Sequence, residues 1–199
     1  MTIPDNDLSA LAAADFTCAC GKRHRTDIKE IHLVGPVFGP LTRLLHAQAS
    51  REGQPLRPGH SRILMVADQN TWQAAGRAVH DDLQTWRDGD AAYPVDTCIF
   101  PAEPVLVPDE HAVFAVIRAL RPETGLLIAV GSGTLNDLTR FVSSRSGIPY
   151  YIVATAPSMD GYASSVAPMI INQMKVTVDA CGAAAILGDP AVLAASYRY

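Results

Sequence analysis

Leu126-Leu127-Ile128-Ala129-Val130-Gly131-Ser132-Gly133-Thr134-Leu135-Asn136-Asp137 is the stretch that decides the fold. An unbroken apolar run suits a strand buried on both faces, as strands of parallel sheets are. Two glycines follow, and then Leu135, Leu138, Phe141 and Val142 recur at helical spacing. Strand, glycine turn and helix in immediate succession bring backbone N–H groups and the positive end of a helix to one point. A diphosphate can sit there, and Thr134 adds a hydroxyl donor. The turn can also need glycine for its dihedrals alone, and the residues of this stretch leave both readings open.

Working outward, the same alternation continues on both sides. Ile63–Ala67, Thr97–Phe100 and Tyr151–Ala154 read as strands. Between them, Asn70 or Thr71 is expected to cap a helix with Trp72, Ala75, Val79, Leu83 and Trp86 on its apolar face. Asp109 is expected to cap another, with Val113, Val116, Ile117 and Leu120 inward and Pro122 just past its end. Ile28–Val34 alternates like a strand, Leu41, Leu44 and Leu45 suggest a helix ending near Arg51, and Gln54–His60 reads as a loop. Met169–Ile171, Asn172-Gln173 and Met174–Val178 read as a hairpin, with Ala184–Leu187 as a last strand. The fold class is therefore α/β: a doubly wound, mostly parallel sheet with helices on both faces. Residues 1–16 are expected to be a leader with one short helix, 17–192 the nucleotide-binding domain, and 193–199 the start of another unit.

Bulk properties narrow the function. The chain has 199 residues, a net charge of −4 and 48% hydrophobic residues. A spread negative charge argues against a nucleic-acid partner. No apolar run reaches the length of a membrane span, so no membrane partner is expected. The start, Met1-Thr2-Ile3-Pro4-Asp5-Asn6, lacks the basic and apolar regions of a signal peptide, and four cysteines make no disulfide framework in a chain this long. A cytoplasmic protein is the expectation.

The Gly131 loop is neither G-x-G-x-x-G, because Asn136 stands at the third glycine, nor a P-loop, because no lysine follows. Asp68, either an acidic partner for ribose hydroxyls or a plain helix cap, precedes the loop instead of following it, against the order of the common dinucleotide fold. A second loop, Thr155-Ala156-Pro157-Ser158-Met159-Asp160-Gly161-Tyr162-Ala163-Ser164-Ser165, follows the next strand and should face the first across one crevice.

These segments, with Met174-Lys175-Val176-Thr177, Cys18–His24 and Ala67–Thr71, resemble the glycerol-1-phosphate dehydrogenase family in its bacterial branch. That family is grouped with dehydroquinate synthase and the iron-containing alcohol dehydrogenases. The resemblance runs from about residue 16 to the end, and its most specific piece is Ser158–Ser165. It implies an oxidoreductase that interconverts dihydroxyacetone phosphate and sn-glycerol 1-phosphate with NAD or NADP. It assigns cofactor contacts to Gly133, Thr134, Leu135, Asn136, Asp137, Thr155, Ala156, Pro157, Ser158 and Ser164. Asp160 is implied to be the carboxylate that meets the substrate, a small phosphorylated molecule, and to be catalytic. The family's divalent metal (zinc, nickel or iron) is held by an aspartate and two histidines of a helical C-terminal domain. Those positions fall beyond Tyr199, so no metal ligand is assigned within the chain, and residues 1–199 alone are expected to be inactive. Asp189 corresponds to a different family position. The rival readings are a polyol or alcohol dehydrogenase acting on an unphosphorylated substrate, and a nucleotide-binding fragment without catalysis. A homo-oligomer is compatible with either.

The remaining signals are weaker. Cys18, Cys20 and His24 could ligate zinc, but C-x-C is tighter than the usual spacing and no fourth ligand is evident, so a structural or incidental role is favoured. Cys98 and Cys181 suit packing. The other histidines (His32, His46, His60, His80 and His111) show no metal spacing. Lys175 is either a solvated lysine or a phosphate contact.

Overall fold

The computed structural model describes residues 12, 14–26, 28–49, 56, 61–87, 92–157 and 161–196. In chain order the strands are β1 (Asp15–Thr17), β2 (Arg23–Arg25), β3 (Glu30–Leu33), β4 (Arg62–Asp68), β5 (Val95–Phe100), β6 (Thr124–Gly131), β7 (Tyr150–Ala154), β8 (Val166–Ile171), β9 (Met174–Asp179) and β10 (Ala185–Gly188). The helices are α1 (Phe38–Ala49), α2 (Gln69–Thr71), α3 (Arg77–Thr85), α4 (Glu110–Ala119), α5 (Gly133–Ser146) and α6 (Pro190–Ala195). A π-helical turn, Trp72–Gly76, joins α2 to α3.

Six strands form one parallel sheet in the order β3-β10-β7-β6-β4-β5. Its central strands explain the unbroken apolar runs. In β4, Ile63, Met65 and Ala67 join a core under α1 and α3, while Leu64 and Val66 join a second core under α4 and α5. β6 divides the same way, Leu126, Ile128 and Val130 on one face and Leu127 and Ala129 on the other. Successive side chains of a strand point to opposite faces, so a sheet covered on both sides needs apolar residues at every position.

The order of the strands creates a switch point. From β4 the chain moves outward to β5 through α2 and α3, then returns past β4 to β6 through α4. From β6 it continues away from β4, to β7. Right-handed crossovers in opposite directions put their helices on opposite faces, which opens a crevice beyond the C-terminal ends of β4 and β6. Val66 pairs with Ala129, so Asp68 and Gly131 both lie at this crevice.

Several expectations shift in detail. The first crossover helix is capped by Asp68, ahead of Asn70 and Thr71: the Asp68 carboxylate accepts from Thr71 N–H at 2.8 Å and the Thr71 hydroxyl accepts from Asp68 N–H at 3.1 Å. A hydrogen-bonding pair three residues apart closes a capping box, which starts the helix at Gln69. Ile117 does not face inward on α4; it is 46% exposed, and Ala112 and Val116 are the buried positions. The helical face is set by docking on the sheet, and alanine fits that contact as well as a larger residue. The hairpin β8–β9 forms as read, with Asn172 and Gln173 at positive φ in its turn. It covers the α5 side of the sheet through Ala167 and Met169. Asp15–Thr17 is a strand where a short helical leader was expected. The other leader positions, 1–11 and 13, and most of the Gln54–His60 loop lie outside the described residues. No described helix is long and apolar enough to cross a membrane.

Candidate functional site

The site is built on the junction of β6 and α5. Gly131 ends β6, and a Cβ there would overlap the side chain of Leu135, whose own Cβ would lie 2.9 Å away. The turn is tight because Leu135 folds back over it into the core, and only glycine leaves room. α5 is a 14-residue helix whose N-cap, Ser132, makes no side-chain capping hydrogen bond. Its first-turn N–H groups and the positive end of its dipole therefore lie at the switch-point crevice without a side-chain acceptor from the cap. That is the fit an anionic diphosphate requires.

The candidate residues of this loop divide by direction. Ser132 and Thr134 are partly exposed, and Gly133 is buried. Leu135 packs inward, Asn136 is fully buried, and Asp137 is nearly so. A ligand at the helix terminus would meet Thr134 as a side chain and the first turn as backbone.

Asn136 and Asp137 serve a buried network centred on Arg140, a residue the sequence reading missed. Arg140 is fully buried and donates to Asp137 Oδ1 at 2.7 Å, to the Val166 carbonyl at 2.9 Å and to the Tyr150 hydroxyl at 3.2 Å. It also donates to the carbonyls of Gly161 and Tyr162. The Tyr150 hydroxyl in turn donates to Asn136 Oδ1 at 3.2 Å. Burial pushes the Asp137 carboxyl up to about 6, against the pull of Arg140 and Lys175. Burial likewise pushes the Tyr150 hydroxyl up to about 12. The signal was present in sequence as an aspartate and an arginine at i and i+3.

This network ties the second loop to the first. Thr155 N–H donates to the Gly131 carbonyl at 3.0 Å, and the Tyr162 hydroxyl donates to the Ala156 carbonyl at 2.7 Å. Thr155 is buried, Ala156 partly buried and Pro157 exposed. Ser164 is occupied locally, donating to the Val166 carbonyl and accepting from Val166 N–H, both at 3.1 Å. Ser158 and Asp160 lie outside the described residues. Asp68 stands at the crevice, with one oxygen committed to the helix cap. Asp189 caps α6 through Ala191 N–H at 2.8 Å. Lys175 is exposed on β9, close enough for its charge to act on Asp137.

Among the described residues, one group of three could hold a metal, Cys18, Cys20 and His24, and it lies on the β1–β2 hairpin. The described crevice gives a metal no seat of its own. Of the remaining histidines, His32 pairs with Glu30 at 2.7 Å, and His80 sits between Asp81 and Gln84.

The sequence profile of iron-containing alcohol dehydrogenases matches residues 50–196. The chain belongs to the iron-containing alcohol dehydrogenase family. It is 33% identical over 180 residues to a glycerol-1-phosphate dehydrogenase [NAD(P)+] of Geobacillus stearothermophilus, covering 90% of this chain and 41% of that one. It is 35% identical over 134 residues to the protein of the same name from Geobacillus thermodenitrificans, covering 67% and 32%. The chain thus spans about two-fifths of the length of the first of these relatives and about a third of the second. In fold it resembles glycerol dehydrogenase of Schizosaccharomyces pombe, at TM-score 0.64 and 16% identity over 83% of this chain and 38% of that one. It also resembles sulfoacetaldehyde reductase of Bifidobacterium kashiwanohense, solved with NAD+, at TM-score 0.63 and 15% identity over 85% and 46%. These two likenesses show the fold, an α/β domain.

Proposed function

We propose that the chain binds NAD or NADP at the switch-point crevice and serves the interconversion of dihydroxyacetone phosphate and sn-glycerol 1-phosphate. The observation that carries the proposal is the start of α5, at Gly133, set at the crevice between β4 and β6 with no side-chain cap on its first turn. The relatives' name, glycerol-1-phosphate dehydrogenase [NAD(P)+], supports the substrate and the cofactor of this reading. In this reading Gly133 and Thr134 hold the diphosphate, and Leu135, Asn136 and Asp137 shape the turn beneath it. Thr155, Ala156, Pro157, Ser158 and Ser164 form the facing wall, and Asp68 meets the adenosine ribose with its uncommitted oxygen. Asp160 orients the substrate hydroxyls. When bound, NAD(P) would supply the hydride exchange, and a divalent metal held by the family's ligands would supply polarisation of the substrate oxygen. This chain's residues bind and orient, and the buried Arg140 network keeps the two walls together. The proposal includes the division into a leader (1–16), a dinucleotide-binding domain (17–192) and the start of a further unit (193–199).

Calorimetric titration of NADH and NADPH tests the site. Gly133→Val places a branched side chain where the diphosphate must approach backbone, and is expected to abolish binding while the fold persists. Unchanged affinity in a folded Gly133→Val chain removes the diphosphate from this loop.

A further inference from the structure

We propose that Cys18, Cys20 and His24 form a zinc site that staples the N-terminal hairpin. β1 and β2 are three residues each, and all their side chains except that of Phe16 are exposed. An isolated two-stranded ribbon of this size buries too little to hold itself together. Its turn is nevertheless ordered: Cys18 N–H donates to the Lys22 carbonyl at 3.1 Å and Gly21 N–H to the Cys18 carbonyl at 3.0 Å, with Gly21 at φ +76°. This knuckle brings the ligand atoms of Cys18, Cys20 and His24 within 4.8 Å of one another. A tetrahedral zinc with bonds of about 2.0–2.3 Å sets its ligands on the order of 3.5 Å apart, which these side chains reach by small rotations.

Cys18 and Cys20 are joined as a disulfide in the structure. His24, whose ring packs on Phe16 at 5.7 Å between centroids, also turns its Nε2 to both sulfurs, 3.0 Å from one and 3.2 Å from the other. A disulfide across one intervening residue closes so short a loop that it restrains the hairpin little. A metal joined to His24 links β2 to the turn after β1, and so adds to the exposed Arg23–Asp15 ion pair at 2.6 Å, which by itself contributes little. Cys20 N–H donates to Cys18 Sγ at 3.2 Å, so a backbone donor already faces one of the two sulfurs. Two sulfurs and one imidazole are a donor set that suits zinc, with water in the fourth position. A thiol or phosphine reductant supplies two electrons, and two protons convert the disulfide to two thiols. Zinc then takes both thiolates and releases those protons. The hairpin borders a cavity of ≈ 340 Å³ lined by Phe16, His24, Ile28, Ile31 and Ala163. Ala163 belongs to the second crevice loop, so a fixed hairpin also backs the proposed dinucleotide site.

The test titrates the full chain, reduced with a phosphine, with cobalt(II) and then zinc. One cobalt per chain is expected, with thiolate-to-cobalt charge-transfer absorption that zinc displaces. The absorption is expected to vanish in the Cys18→Ser, Cys20→Ser double variant and to persist in the Cys98→Ser, Cys181→Ser double variant. His24→Ala is expected to weaken zinc by roughly tenfold or more. Zinc is also expected to slow tryptic cleavage after Lys22, Arg23 and Arg25 in the wild type but not in His24→Ala. The hairpin residues contribute little to the core, so circular dichroism should match across the set. Absent cobalt bands with both thiols free, bands that survive the Cys18/Cys20 exchange, or a zinc-loaded hairpin cut as fast as the metal-free one would each overturn the site.

Discussion

Asp137 and Arg140 form the only salt bridge in the described crevice region whose arginine is fully buried, and their chemistry follows from that. A carboxylate removed from water and faced by one guanidinium keeps its proton to about pH 6, because the desolvation cost of the charge outweighs the attraction. The folded chain therefore holds this proton from about pH 4 to about pH 6, where the unfolded chain has lost it. Unfolding free energy from this group falls as pH rises through that window, by at most about 1.4 kcal/mol per pH unit. The stability difference between wild type and Asp137→Asn, from urea unfolding at several pH values, should shrink across the window. Carbon NMR of the Asp137 carboxyl should show a midpoint near 6. Arg140→Met should move that midpoint higher and cost about 3–5 kcal/mol, since it strands the carbonyls of Gly161 and Val166 as well as the carboxyl. A midpoint near 4 in the wild type would show that the carboxylate is already ionised through the window, and that Arg140 outweighs burial.

At the scale of elements, the first crossover helix shows how one residue can serve two tasks. Asp68 closes a capping box with Thr71 and also stands at the crevice. Asp68→Ala should cost about 1 kcal/mol through the lost cap. If the free oxygen also meets ribose, NADH affinity should fall by more than the cap explains, and Asp68→Asn, which keeps a capping oxygen, should recover stability without recovering affinity. Equal recovery of both would reduce Asp68 to a cap. The positions of β4, β6, β7 and α5 were legible because burial on both faces writes itself as unbroken apolar runs, and because glycine marks the turn at Gly131. The cap stayed open among Asp68, Asn70 and Thr71 because all three are good capping residues, and only the end of β4 decides among them. The inward face of α4 was misjudged because its buried positions include alanine, which carries little pattern. Arg140 was missed because an aspartate and an arginine at i and i+3 read by themselves as a solvated helix pair, and its carbonyl partners on Gly161, Tyr162 and Val166 leave no mark in a side-chain sequence.

For the whole molecule, binding and turnover should separate. The described crevice offers backbone N–H groups at the start of α5, a capped Asp68 and a buried Arg140 network. It offers no three-ligand metal set among the described residues, the one such set being on the β1–β2 hairpin. Residues 1–199 should therefore bind NADH or NADPH without oxidising it in the presence of dihydroxyacetone phosphate and added zinc, nickel or iron, for lack of charge stabilisation at the substrate oxygen. Binding to the folded state alone stabilises it in proportion to the logarithm of ligand concentration, about 2.7 kcal/mol at a hundredfold excess over Kd. Thermal unfolding of residues 1–199 should shift upward with NADH, and Gly133→Val should erase the shift. Metal-dependent oxidation of NADH by these residues would place catalytic ligands within them, and a Cys18→Ser, Cys20→Ser variant would then decide whether the hairpin supplies them. The same assay on a chain as long as the curated relatives should turn over dihydroxyacetone phosphate faster than dihydroxyacetone, and a reversed preference would point to an unphosphorylated polyol.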